Sequence, residues 1–250
     1  MTNTIPFRTR YYFSNAFKLF GAYPLQYIGI MILAGLSGLL GFLPIMSRVL
    51  SYLILQPLIS GIYSFAHIQA TGEMPMFMDF FGAFTKKKYI SIVLISFISA
   101  IVFMGIMAAA AFIVFSEDFA TVLHVREILM TPSLQSPGAM EEVGNFILLH
   151  AVDFIITFLV ATIAFVPIYF LVGYSSIHLM IKEEGLLRAI TTAFAVMKSA
   201  PMQVLGFVLL SYLIIVLGFS LCLVGVIIAF PIVNIAFVYA FLDWENRRQP

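Results

Sequence analysis

The sequence predicts an all-α, polytopic membrane protein with six transmembrane helices, and three observations support this fold class. Hydrophobic side chains make up 62% of the 250 residues and charged side chains only 10%, whereas about a quarter of the residues in soluble proteins are charged. The mean hydropathy is +1.06. Long charge-free stretches recur along the chain without the alternation of apolar and polar residues that a membrane-spanning barrel requires. We therefore expect an integral membrane protein built from helices.

Six apolar segments are long enough to cross a hydrocarbon core of about 30 Å, because each helical residue advances about 1.5 Å. The predicted spans are residues 23–43, 49–70, 89–115, 147–175, 201–219 and 222–242. We expect one integral membrane domain over residues 1–250, with the single cysteine, Cys222, as a small apolar residue of the sixth span. The first apolar run is far longer than a signal-peptide core, so we expect this span to be retained.

The basic residues predict the orientation, because Lys and Arg in short loops remain on the cytoplasmic side. Of the thirteen Lys and Arg residues, all but Arg48 and Arg126 fall on one side of the predicted spans. We therefore expect both termini in the cytoplasm, the protein in a bacterial inner (plasma) membrane, and the loop 116–145 outside. Within that outer loop, residues 119–129 are expected to form a short amphipathic helix.

An internal repeat is the most specific feature of the sequence. Residues 16–42 match residues 193–219 at a constant offset of 177, with ten of 27 positions identical. Composition alone can align leucines, but the match also pairs Pro24 with Pro201, a glutamine with a glutamine, and two glycines with two glycines. A weaker third copy begins at Ala83. All copies would enter the membrane in the same direction, which predicts parallel hairpin repeats.

An amphipathic helix is predicted ahead of each strong copy. Residues 10–20 and 182–198 each place apolar side chains on one helical face and Lys or Arg elsewhere on the wheel. We expect both helices to lie flat on the inner leaflet. Pro24 and Pro201 would then begin the spanning helices, since proline suits the first helical turn.

His150 and Asp153 are the candidate intramembrane polar pair, three residues apart on one face of the fourth span. Burying a charge there costs several kcal/mol unless it is paired, which makes the pair a candidate proton relay or cation site. The alternative is that both lie within two turns of the outer helix end and reach interfacial water. The second interpretation is favoured, because only charges at mid-bilayer indicate function strongly.

Lys86, Lys87 and Lys88 form a cluster just before the third span. On the cytoplasmic side, each would contribute about 1 kcal/mol of attraction to an anionic leaflet, so they are candidate lipid head-group contacts. Their part in orienting the chain would by itself explain them, and this interpretation is favoured over specific lipid binding.

No motif of an enzyme, metal site or cofactor site occurs: HExxH, CxxC, Gly-x-Ser-x-Gly and the P-loop are all missing from the sequence. A net charge of +1 provides no basic surface for nucleic acid. We therefore expect no catalytic, cofactor-binding or metal-ligating residues and no nucleic-acid partner.

Two functional hypotheses remain. The first is a non-enzymatic protein of the cell envelope that binds membrane lipid, a partner membrane protein or a second copy of itself. The alternative is a transporter or channel for a small or lipophilic solute, which would need polar groups converging at mid-bilayer. The candidates there are few and scattered in the sequence: Thr157, Thr162, Ser211 and Asn234.

Short motifs along the chain add a resemblance. An Ala-Phe pair precedes a proline and the first span, a proline and a glycine lie in the second, and similar short patterns surround the later spans. The residues concerned are Ala16, Phe17, Pro24, Pro57, Gly61, Gly72, Glu73, Pro75, Phe77, Asp79, Phe81, Phe84, Glu184, Ala189, Ala193, Gly225 and Pro231 to Tyr239.

Through these short motifs, nearly the whole chain resembles bacterial six-helix inner-membrane proteins of unknown function. That group is similar to the membrane domain attached to some glycerophosphodiester phosphodiesterases. The resemblance implies a stand-alone membrane module linked to lipid or envelope physiology. It carries over no enzymatic residues, because a catalytic phosphodiesterase domain is not among the 250 residues.

Overall fold

The computed structural model describes residues 7–39, 45–85, 89–115, 119–131, 136–182 and 184–248. Within these ranges it describes the backbone but not the side chains of residues 37–39, 45–52, 85, 119–122, 126, 222–223 and 248. All regular structure in the described residues is helical, which confirms the all-α prediction. The helices are α1 Thr9–Ala22, α2 Pro24–Leu39, α3 Ile45–Ala70, a 3-10 helix Phe77–Phe81, α4 Gly82–Thr85, α5 Tyr89–Val114, α6 Phe119–Met130, α7 Pro137–Leu149, α8 Ala151–Ile181, α9 Leu186–Ser199, α10 Pro201–Ser220 and α11 Cys222–Arg248.

Two compact units make up the chain. The larger unit contains residues 1–99 and 166–250, and the smaller contains residues 100–165. The long helices α5 and α8 contribute residues to both units.

Four of the described helices, α5, α8, α10 and α11, are long and apolar enough to cross a membrane. A fifth crossing is added if α1 and Pro24–Leu36, which meet at 93°, count as one bent span. Helices that are long and apolar enough to span a membrane are thus present as predicted, four or five of them among the described residues. Their bounds differ from the predicted spans by up to about six residues, as at α8, which covers Ala151–Ile181 rather than 147–175.

The two helix pairs that contain the repeat are built alike. Residues 9–22 of α1 and 186–199 of α9 correspond at the same offset of 177. One non-helical residue follows each, with φ −135° and ψ 46° at Tyr23 and φ −143° and ψ 58° at Ala200. The next residue, Pro24 or Pro201, begins the following helix. Each pair therefore turns its corner with the same backbone conformation.

Burial follows the repeat as well. Ala16 and Ala193 are fully buried, and so is Ala83 at the start of the weaker third copy. The phenylalanines that follow the first two, Phe17 and Phe194, are both about half exposed. In both α1 and α9, the helix face with the alanine is therefore buried and the face with the phenylalanine is exposed.

α11 lies at the centre of the larger unit, where it packs against α1, α2, α3 and α10. Its middle section is apolar except for Asn234 and almost completely buried, as expected of a helix without a solvated face. The ring of Phe207 on α10 packs edge-to-face against Phe237 of α11, with centroids 4.8 Å apart, and against Phe7 at 5.5 Å. These aromatic contacts hold the N-terminal segment, α10 and α11 together.

Gly61 allows the chain that follows α3 to fold back closely on it. A Cβ atom at Gly61 would lie 1.8 Å from the carbonyl oxygen of Phe80 in the 3-10 helix. The ring of Phe80 stacks on Phe65 of α3 with centroids 3.8 Å apart. Gly72, with φ +88°, ends the last turn of α3 in the left-handed conformation that glycine adopts most readily.

In the smaller unit, α6 and α7 pack on the end of α5 through a small apolar cluster that includes Phe115, Val125 and Phe146. The predicted amphipathic helix of the loop 116–145 corresponds to α6. The second helix of this segment, α7, was not predicted. Ser136 caps its start by accepting a hydrogen bond from the backbone N–H of Ala139 at 3.3 Å, and Pro137 takes the first helical position.

Candidate functional site

His150 and Asp153 form a direct pair in the smaller unit. Nδ1 of His150 lies 2.9 Å from Oδ2 of Asp153. His150 is the C-terminal cap of α7 and Asp153 lies in the first turn of α8, where a helix dipole favours a carboxylate. The histidine side chain is 14% exposed and packs against Phe146, whereas that of Asp153 is 41% exposed. The pair therefore occupies a helix start, a position that favours the interfacial interpretation.

The lysine cluster predicted to contact lipid, Lys86 to Lys88, lies outside the described residues, and so does the side chain of Cys222.

A buried carboxylate that the sequence analysis did not select, Asp243, organises the C-terminal part of α11. The hydroxyl of Tyr12 donates a hydrogen bond to its Oδ2 at 2.7 Å, and Nη2 of Arg247 lies 3.0 Å from the same oxygen. Arg8 forms an ion pair with Oδ1, and this hydrogen bond raises the pKa of the guanidinium. We call Arg8, Tyr12, Asp243 and Arg247 the Asp243 cluster; it ties the start of α1 to α11.

Further ion pairs join the neighbouring helix ends. Nζ of Lys182, just after α8, contacts Oε2 of Glu245 on α11 at 2.5 Å. Glu184 lies 3.4 Å from Nδ1 of His178 and 3.6 Å from Nε of Arg188. The contact of Lys182 with Glu245 joins the ends of α8 and α11 across a long stretch of sequence, a pairing that no local spacing can indicate, whereas the contact of Glu184 with Arg188 is a local i,i+4 pair.

An apolar groove of about 380 Å³ lies where α9, α10 and the Pro167 region of α8 meet. It is lined by Val166, Pro167, Phe194, Met197, Pro201 and Met202 among others, with Lys198 as the single charged lining residue. Among the described residues Lys198 has no acidic partner. We call this feature the Lys198 groove.

A polar cavity of about 280 Å³ lies among α3, α5, α8 and α11 of the larger unit. Its polar lining includes Gln56, Ser60, Ser96, Ser99, Ser176 and Asn234, with the phenols of Tyr63 and Tyr169 beside them. No acidic or basic side chain among the described residues lines it. Of the four polar residues predicted at mid-bilayer only Asn234 belongs to it; Ser211 instead donates to the Phe207 carbonyl of its own helix at 2.8 Å.

The spacing of these cavity residues carries a signal that could have been read from the sequence. Gln56 and Ser60 are four residues apart and Ser96 and Ser99 three apart, so each pair shares a helix face within a predicted span. Polar pairs at helical spacing in an apolar segment indicate a face turned away from lipid.

Within the described residues, no group of three or more His, Cys, Asp or Glu side chains is placed to hold a metal ion. Comparisons with known proteins find no relative: no family model matches the chain, and neither a curated protein nor a solved structure is significantly similar to it. The groove, the cavity and the charged helix ends are therefore the features of the molecule that indicate its function.

Proposed function

We propose that this chain is a non-enzymatic, multi-pass protein of the bacterial inner membrane that binds lipid at the cytoplasmic leaflet. The Lys198 groove is the observation that carries the proposal. Its lining is apolar, which suits an acyl chain, and its one charge is a cation without an acidic partner among the described residues. An anionic phospholipid combines these two complementary chemistries.

The exposed face of α9 supports this proposal. Ala189, Ala193 and Val196 are buried on its inner face, while Leu187 and Phe194 are exposed. A helix that is apolar on its exposed side and carries cations suits the boundary between head groups and acyl chains. The bent α1–α2 pair repeats this arrangement with Phe17 exposed and Ala16 buried.

We further propose that α2 and α3 complete a set of six spans, with both termini cytoplasmic. α3 has 26 residues, or about 39 Å of helix, and two of its polar residues, Gln56 and Ser60, line the cavity. The matching bounds, corners and burial of α1–α2 and α9–α10 support a parallel internal repeat. The resemblance to six-helix inner-membrane proteins remains a prediction in line with this topology.

Apolar side chains exposed in the smaller unit, including Met104, Ile113, Val152 and Ile163, would contact lipid, a second copy or a partner membrane protein. A native mass spectrum distinguishes among these possible partners, because it reports both the number of subunits and the bound lipid.

We would record native mass spectra of the protein released from nanodiscs of phosphatidylethanolamine and phosphatidylglycerol. Retained phosphatidylglycerol should fall about five-fold in Lys198→Gln, since one cation near an anionic head group contributes about 1 kcal/mol. Lys18→Gln, on the equivalent helix α1 but away from the groove, is the matched control and should retain the wild-type amount. A wild-type protein without retained lipid, or equal loss in both variants, would overturn the proposal.

Transport of a small solute is the second candidate function, and the polar cavity is the observation that favours it. The His150–Asp153 pair is not part of the cavity lining. Stopped-flow swelling of proteoliposomes in glycerol should therefore be the same for wild type and for a His150→Ala, Asp153→Asn double variant. A lower rate in the double variant would instead assign that pair a coupling role.

A further inference from the structure

The polar cavity lies at a depth where unpaired polar groups are costly. Asn234 precedes Asp243 by nine residues and Ser176 precedes Lys182 by six, distances of about 13 Å and 9 Å along their helices. Ser96 lies about 10 Å beyond the start of α5. In the proposed topology, all three positions fall within the hydrocarbon layer. There, polar groups need a hydrogen-bonding partner that is not lipid.

The protein itself supplies few of these partners. Ser96 donates to Oε1 of Gln56 at 3.2 Å, and Nδ2 of Asn234 donates to the carbonyl of Phe230 at 2.7 Å. A carboxamide offers two donor hydrogens and an acceptor oxygen, so each amide retains hydrogen-bonding capacity toward the cavity. The hydroxyls of Ser60 and Ser176 make no hydrogen bond to the described residues.

This arrangement differs from that of two serines on the neighbouring helix α10. Ser211 and Ser220 on α10 donate to carbonyls of their own helix, the usual way in which an apolar helix satisfies a hydroxyl. The cavity serines do not donate to carbonyls of their own helices, although each has a backbone carbonyl one turn earlier in the sequence. The hydroxyls of Ser60 and Ser176 are thus open to an occupant of the cavity, and the oxygen of Ser96, whose hydrogen is donated to Gln56, can still accept a hydrogen bond.

The size and charge of the cavity define that occupant. A volume of about 280 Å³ corresponds to about nine water molecules in the liquid, which is enough for a small organic solute. An ion would lose its hydration without meeting an opposite charge, at a cost of several kcal/mol or more. The lining instead offers amide and hydroxyl groups with aromatic walls.

We infer that this cavity binds a small, uncharged solute with several hydrogen-bonding groups, of the polyol or amide class. The inference rests on the second candidate function, for which it names the substrate class, and it is independent of lipid binding at the Lys198 groove. Binding in the cavity and passage across the membrane are separate properties, so the test measures access and occupancy rather than flux.

The single native cysteine makes the test direct. In a Cys222→Ser background, Ser99→Cys places one thiol in the cavity lining with little change in side-chain size, and Ser96→Cys provides a second reporter. The purified protein is treated with uncharged methyl methanethiosulfonate and with its cationic trimethylammonium-ethyl and anionic sulfonato-ethyl analogues. Each rate is divided by the rate at Ser14→Cys, an exposed position on α1.

The uncharged reagent should react at Ser99→Cys at least about ten-fold faster than either charged one, because the charged reagents must lose their hydration. Glycerol or acetamide at about 1 M should at least halve that rate by mass action, while the rate at Ser14→Cys stays unchanged. Ser211→Cys, fully buried and outside the cavity, should not react with any reagent.

Three outcomes would overturn the inference. Equal reaction with charged reagents would show an ionic pathway and leave a transport function standing with a different substrate class. No reaction at Ser99→Cys and Ser96→Cys would show that the cavity admits no solute, and the second candidate function would lose its support. Reaction that neither glycerol nor acetamide slows would show access without binding of this class. Lipid retention at the Lys198 groove is unaffected by any of these results.

Discussion

Two aspartates differ in what surrounds them, and the difference lies in the tertiary structure. Asp153 is the one acid within a predicted span, yet its side chain is 41% exposed and its partner is His150, three residues away. Asp243 follows the last charge-free stretch, is almost completely buried and binds Arg8, Tyr12 and Arg247. Since Arg8 is 235 residues away, only folding makes Asp243 the better connected of the two.

Asp243→Asn is therefore expected to lower the free energy of unfolding by about 1–3 kcal/mol, because it breaks two ion pairs and weakens a buried hydrogen bond. Asp153→Asn, which loses one half-exposed contact, should cost less than about 1 kcal/mol. Thermal unfolding of both variants in detergent micelles measures the difference. A smaller loss for Asp243→Asn than for Asp153→Asn would show that the Asp243 cluster contributes little to stability.

At the level of elements, close backbone approach decides how α3 and the 3-10 helix pack. Gly61 and Gly29 are both glycines within predicted spans, and their sequence contexts do not distinguish them. The space around them does: a Cβ at Gly61 would meet the Phe80 carbonyl, whereas a Cβ at Gly29 has no atom within 4 Å. The contact of Phe80 with Phe65 depends on the approach that Gly61 permits.

Gly61→Ala is expected to destabilise the protein by at least about 2 kcal/mol, because the carbonyl of Phe80 must move to make room. Gly29→Ala is the matched control, and its effect should be neutral or stabilising by up to about 1 kcal/mol, since alanine is the better helix former. Denaturation midpoints of the two variants in the same detergent check this. Equal midpoints would mean that α3 and the 3-10 helix separate at little cost.

For the whole molecule, the direction of each helix follows from the number of crossings. If α1 lies on the surface and α2 crosses alone, the chain crosses six times and both termini share a side. If α1 and α2 together formed one bent span, the chain would still cross six times with both termini on one side, but Ser14 would lie within the membrane rather than on its surface. The charge distribution favours the six-span arrangement.

Single cysteines in a Cys222→Ser background test this topology in spheroplasts treated with a membrane-impermeant maleimide. Glu141→Cys, exposed on α7, should be labelled in intact spheroplasts. Ser14→Cys and Asn246→Cys, at opposite ends of the chain, should be labelled only after lysis, which also serves as the control for reactivity. Labelling of either terminal position before lysis would contradict the proposed arrangement.

The sequence by itself determined the fold class and the places where α2 and α10 begin. Apolar segments of spanning length are unfavourable in water, and the missing N–H of Pro24 and Pro201 costs no hydrogen bond in a first helical turn, so the fold class and these two helix starts follow from the local sequence. The offset of 177 indicated the two bent helix pairs, whose bounds and buried alanines agree with it. The smaller helix α7, preceded only by a serine cap and a proline, was missed.

Only the tertiary structure decided which polar residues meet. Gln56, Ser96, Ser176 and Asn234 lie on four helices, and a helical pattern shows which face a residue occupies but not which helix it faces. The Asp243 cluster and the Lys198 groove depend in the same way on side chains from distant segments. Hydrophobicity acts on each segment separately, whereas hydrogen bonds, ion pairs and cavities require the relative positions of helices, which packing alone sets.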